Sequence, residues 1–93
     1  MSKFSSLPTT TRKFVFFYKK IRSLFKRKGW SKDSKEPTFS ITFSTINFGY
    51  DYVALGLVQK TYRLIGWKLV IMSYKTKENH DGYEFSFDLH KLK

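Results

Sequence analysis

Asp51-Tyr52-Val53-Ala54-Leu55-Gly56-Leu57-Val58-Gln59-Lys60-Thr61-Tyr62-Arg63-Leu64-Ile65-Gly66 admits two readings, and the topology of the whole chain hangs on them. Residues 52–58 are apolar on both faces of an extended backbone, which suits a central strand. A helix over residues 51–65 closed by Gly66 competes, but its apolar side chains spread around the helical wheel instead of gathering into a stripe. Periodicity favours a strand over residues 51–59.

Outward from that stretch the patterns are cleaner. Upstream, Phe39, Ile41 and Phe43 alternate with Ser40, Thr42 and Ser44, so a strand over residues 38–47 has one apolar face and one carpeted with hydroxyls. Asn47-Phe48-Gly49-Tyr50 punctuates its end. Downstream, residues 67–75 are rich enough in β-branched and aromatic side chains for another strand, and Lys77-Glu78-Asn79-His80-Asp81-Gly82 carries the Asp-Gly signal of a hairpin turn. Tyr83, Phe85, Phe87 and Leu89 then alternate with Glu84, Ser86, Asp88 and His90, apolar in and polar out, over residues 83–90. The body of the chain thus reads as a four-stranded antiparallel meander.

The hydrophobic period changes at Pro37, which biases its predecessor toward extended backbone. Residues 29–37, with Gly29, Ser31, Asp33, Ser34 and Pro37, hold turn formers without a period and read as a linker. Before it, over residues 12–28, Phe14, Phe17, Tyr18, Ile21, Leu24 and Phe25 fall within a stripe about 120° wide, the mark of an amphipathic helix. Lys19, Lys20, Arg22, Ser23, Lys26 and Arg27 lie opposite, Phe16 breaks the pattern by pointing to the polar side, and Gly29 supplies a stop. Residues 1–11 end in Thr9-Thr10-Thr11 and read as a flexible arm closing in a helix cap. The expected fold is therefore α+β, one small domain over residues 12–93 in which a single helix covers the apolar face of the sheet.

Composition agrees with one folded domain. A chain of 93 residues has room for a thin core, yet 10 Phe, 6 Tyr and 2 Trp are too many large side chains for a disordered one. The absence of cysteine excludes a disulfide framework and a thiolate metal site, which favours an intracellular setting, cytoplasmic or nuclear. The apolar residues 14–18 are hemmed in by Arg12-Lys13 and Lys19-Lys20, far short of a membrane span. Met1-Ser2-Lys3-Phe4 lacks the features of a secretory signal, and Ser2 stands where myristoylation needs glycine.

Little in the chain suggests catalysis. Only 7 acids and 2 His are present, and no Gly-rich phosphate loop, zinc spacing or nucleotide motif appears. His80 and Asp81 are explained by the hairpin turn. His90, Asp88 and Glu84 share one face of one strand, where their spacing is too wide to hold a single ion. No enzymatic activity, cofactor or metal is expected.

Charge is what rises above background. The formal net charge is +11, and residues 1–37 hold 11 Lys/Arg against Asp33 and Glu36, a net of +9. Solubility alone needs only a modest charge spread over the surface. Within residues 12–28 eight side chains are basic and none is acidic, whereas ordinary surface helices mix signs and gain from ion pairs one turn apart. The expected partner is a polyanion, foremost nucleic acid bound without strong sequence specificity. Arg12, Lys13, Lys19, Lys20, Arg22, Lys26, Arg27 and Lys28 would neutralise phosphates, and exposed aromatics such as Phe16, Trp30 or Tyr50 would stack on unpaired bases. The same basic helix could instead lie in an anionic membrane surface, as in a matrix-like protein, or meet an acidic protein, while a partner adaptor would use the sheet edge and need no charge at all. Lys26-Arg27-Lys28 also matches a short nuclear-localisation run. A basic amphipathic helix joined to a strand-rich body looks like the layout of small viral accessory or matrix proteins. The alternatives turn on whether Phe14, Phe17, Ile21 and Leu24 are buried.

Overall fold

The computed structural model describes residues 9–46, 49–76 and 82–92. Along the chain these form helix α1 (Thr9–Arg27), strand β1 (Thr38–Thr45), helix α2 (Tyr52–Leu64), strand β2 (Trp67–Thr76) and strand β3 (Tyr83–Lys91). The fold is α+β, with a three-stranded antiparallel sheet. The expected strand over residues 51–59 is corrected to a helix, and the four-stranded meander with it.

The cause is local. The Asp51 carboxylate accepts a hydrogen bond from the Ala54 N–H at 2.9 Å, capping the first turn of α2. From there Ala54, Leu55, Val58 and Tyr62 recur at helical spacing and are buried. The apolar residues that blurred this stripe remain in water, Tyr52 at 80% and Leu64 at 82% exposure. At the other end Gly66 takes φ +90° and lets the chain turn into β2.

The strand order is β1-β3-β2, with β3 antiparallel to both neighbours. β1 and β2 therefore run parallel, and two parallel strands need a crossover, which α2 supplies. β1 lies in register with β3 from Thr38↔His90 to Thr45↔Tyr83. Between β2 and β3 the register slips at Met72, so that Ile71 faces Phe87 and Tyr74 faces Phe85. That one extra residue restores an aromatic to the inner face where strict alternation would have placed Ser73.

α1 packs on α2 and β1, and α2 packs on β2, so the two helices cover one face of the sheet. Phe17, Ile21 and Phe25 of α1 are fully buried, and Phe14, Phe16, Tyr18 and Leu24 pack partly against the same core. Phe16, expected on the polar side, thus leans inward and meets the Phe17 ring edge-on at 5.3 Å. Phe17 in turn meets Phe85 edge-on at 5.2 Å, while Phe43 stacks on Phe85 and Phe87. α1 starts at Thr9, three residues before the expected Arg12, which places the threonines in its first turn. The expected turn at residues 77–81 and the punctuation at Asn47-Phe48 lie outside the described residues.

Candidate nucleic-acid interface

α1 contains no acidic side chain, and its last turn ends on Lys26 and Arg27. Because Phe17, Ile21 and Phe25 face the core, the helix turns Lys19, Lys20, Arg22, Lys26 and Arg27 outward, and Lys28 follows them; all six are exposed. None of the six forms an ion pair with any described residue. Lys20 approaches the Phe43 ring, with Nζ 6.0 Å from its centroid.

The remaining members of the expected set are otherwise engaged. Lys13 Nζ lies 3.4 Å from Asp51 Oδ2 and ties α1 to the start of α2. Arg12 Nη2 donates to Thr9 Oγ1 at 3.3 Å, while its Nε is buried without a partner. Trp30, expected as an exposed stacking ring, is only 6% exposed and belongs to the core. Its position follows from how α1 ends. Gly29 takes φ +91°, its N–H bonds to the Lys26 carbonyl at 3.0 Å, and the Trp30 N–H bonds to the Phe25 carbonyl at 3.0 Å. This is the Schellman arrangement, in which the residue after the glycine folds back on the helix, here Trp30 on Phe25. Trp30 then meets Tyr62 and Trp67 edge-on. Tyr50, the other expected stacker, is partly exposed but leans on Tyr74, with ring centroids 5.3 Å apart.

Two features escaped the sequence reading. Once residues 52–64 are helical, Lys60 and Arg63, which follow the expected strand over residues 51–59, stand on α2 and line a hollow with Lys68 of β2, a second cationic cluster. Its signal was available in the absence of any acid between Tyr52 and Leu64. The second is the stacked pair Phe14 and Tyr18, ring centroids 5.8 Å apart and planes within 21°, which stays partly open to solvent beside Lys19 and Arg22. Both rings fall within the apolar stripe, and a stripe alone does not tell a core ring from one at its margin.

The opposite face of the sheet is polar and mixed in charge. Ser40 donates to Asp88 at 2.7 Å, Thr42 and Ser86 share a hydrogen bond at 3.0 Å, and Lys75 pairs with Glu84 at 3.4 Å. His90 Nε2 lies 3.9 Å from Asp88, and its Nδ1 meets the Thr38 hydroxyl at 3.3 Å. His90 and Asp88 thus lie near each other while Glu84 pairs with Lys75, and among the described residues no three His, Asp or Glu side chains gather as metal ligands would. No described helix is long and apolar enough to cross a membrane. No protein-family model, curated protein or solved structure matches the chain.

Proposed function

We propose that the protein binds nucleic acid without enzymatic activity, through the basic outer surface of α1 joined by Lys60 and Arg63 of α2. The observation that carries this is the division of labour on α1. Phe17, Ile21 and Phe25 are fully buried, while Lys19, Lys20, Arg22, Lys26, Arg27 and Lys28 stand outside with no described carboxylate to neutralise them. Large apolar side chains are each worth roughly 1.5 to 3 kcal/mol when buried, so using α1 as a membrane anchor would cost the core its centre. Phosphate binding uses only the charges already outside. Reversing Lys19, Lys20, Lys26 and Arg27 to Glu should abolish binding to labelled oligonucleotides, and added salt should weaken the unaltered protein with a slope of several released counterions.

A second reading has one observation in its favour. Val53, Leu57 and Leu64 are exposed along α2, with Tyr52 beside them, and Lys60 and Arg63 flank them. An apolar ridge flanked by cations suits an anionic bilayer surface, so a peripheral membrane role would belong to α2 and leave α1 docked. Sedimentation with anionic vesicles that is lost in Leu57→Asp with Leu64→Asp, in a protein that ignores DNA and RNA at low salt, would establish that role instead.

A further inference from the structure

The outer surface of α1 is not charged throughout. Phe14, Val15 and Tyr18 are partly exposed, and with Lys19, Arg22 and Lys26 they line an open hollow of about 690 Å³. Residues 14, 18, 22 and 26 follow one another at four-residue intervals, so they form a single ridge along the helix. The Phe14 and Tyr18 rings stack on each other, and Tyr62 of α2 supports Tyr18 from behind at 6.3 Å. The floor is thus aromatic and held in place, and the rim is cationic.

A double helix presents phosphates outward and keeps its bases stacked inside, so it would satisfy the rim and leave the floor without a partner. A single strand can turn its bases out, lay their faces on aromatic rings and keep its phosphates within reach of cations. We propose that the ligand is single-stranded nucleic acid, with bases lodged on the floor made by Phe14, Val15 and Tyr18 and phosphates held by Lys19, Arg22 and Lys26. This rests on the nucleic-acid reading above and narrows it to one class of ligand.

The experiment compares three probes of equal length on the unaltered full chain at low salt: oligothymidylate, a blunt duplex, and an abasic strand that keeps every phosphate and has no base. Oligothymidylate should bind at least tenfold more tightly than either of the others. Tyr18→Leu keeps an apolar side chain without a π-face, and it should weaken oligothymidylate binding about 5- to 100-fold while leaving the duplex unchanged. Tyr18→Phe should bind as the parent does. Equal affinity for all three probes overturns the single-strand proposal and leaves nucleic-acid binding standing. Failure of all three to bind overturns both. The abasic comparison needs no substitution, so it decides the matter even where a Tyr18 variant fails to fold.

Discussion

Asp51 joins the two helices through two contacts made by one carboxylate. It accepts from the Ala54 N–H and lies 3.4 Å from Lys13, so it caps α2 and pins the first half of α1 to it. Asp51→Ala should cost about 1 to 2 kcal/mol near neutral pH, read from urea unfolding, since loss of an N-cap falls in that range. The cost should depend on pH. The hydrogen bond from Ala54 holds the carboxyl below its usual 3.8, with partial burial opposing and Lys13 adding to the shift. A carboxylate favoured in the folded state contributes fully above the unfolded value and loses that contribution as pH falls through the lower folded value. The gap between parent and Asp51→Ala should therefore hold steady above about pH 5 and narrow below about pH 4. A gap unchanged down to pH 2 would show that charge plays no part in the cap. Trp30 teaches a related lesson at the same scale. Its neighbours in sequence are linker residues, but the glycine before it and the helix before that decide its burial.

At the scale of elements, legibility followed how completely each face separated apolar from polar side chains. β1 sets buried Phe39, Ile41 and Phe43 against exposed Ser40, Thr42 and Ser44, β3 buries Phe85, Phe87 and Leu89 between half-buried polar neighbours, and both could be read directly. In α1 the buried Phe17, Ile21 and Phe25 are four apart, so that helix was equally plain. α2 was not, because Val53, Leu57 and Leu64 are apolar yet exposed, and a stripe is visible only when the other side of the wheel is polar. The basic surface of α1 could be named from sequence, whereas Lys60 and Arg63 could be grouped with Lys68 only once α2 was known to be a helix. Gly56 added to the ambiguity, since glycine in a helix interior is less favourable than alanine by about 1 kcal/mol. A Cβ built at Gly56 meets nothing within 4 Å. Gly56→Ala should therefore stabilise the protein by about 0.5 to 1 kcal/mol, seen as a higher melting temperature. Destabilisation would mean that the backbone at Gly56 departs from the helical geometry that alanine favours.

At the scale of the whole molecule, charge and hydrogen bonding are sorted to opposite sides of the core. The helical layer bears Lys19, Lys20, Arg22, Lys26, Arg27, Lys60 and Arg63 and no acid within either helix. The open face of the sheet sets its charges against partners of its own, Lys75 on Glu84 and Asp88 on the Ser40 hydroxyl. A polyanion drawn by a one-sided field docks on that side, and removing a cation that neutralises one phosphate lowers the salt slope by about 1. Lys60→Gln with Arg63→Gln should thus reduce the slope of log affinity against log salt by about 2. Lys75→Gln takes a cation from the opposite face and should change neither slope nor affinity. Both variants keep the burial pattern intact, because all three side chains are exposed, so differences between them report on where the ligand lies. If Lys75→Gln lowers the slope as Lys60→Gln does, the polyanion wraps the sheet as well, and the helical layer is not a distinct interface.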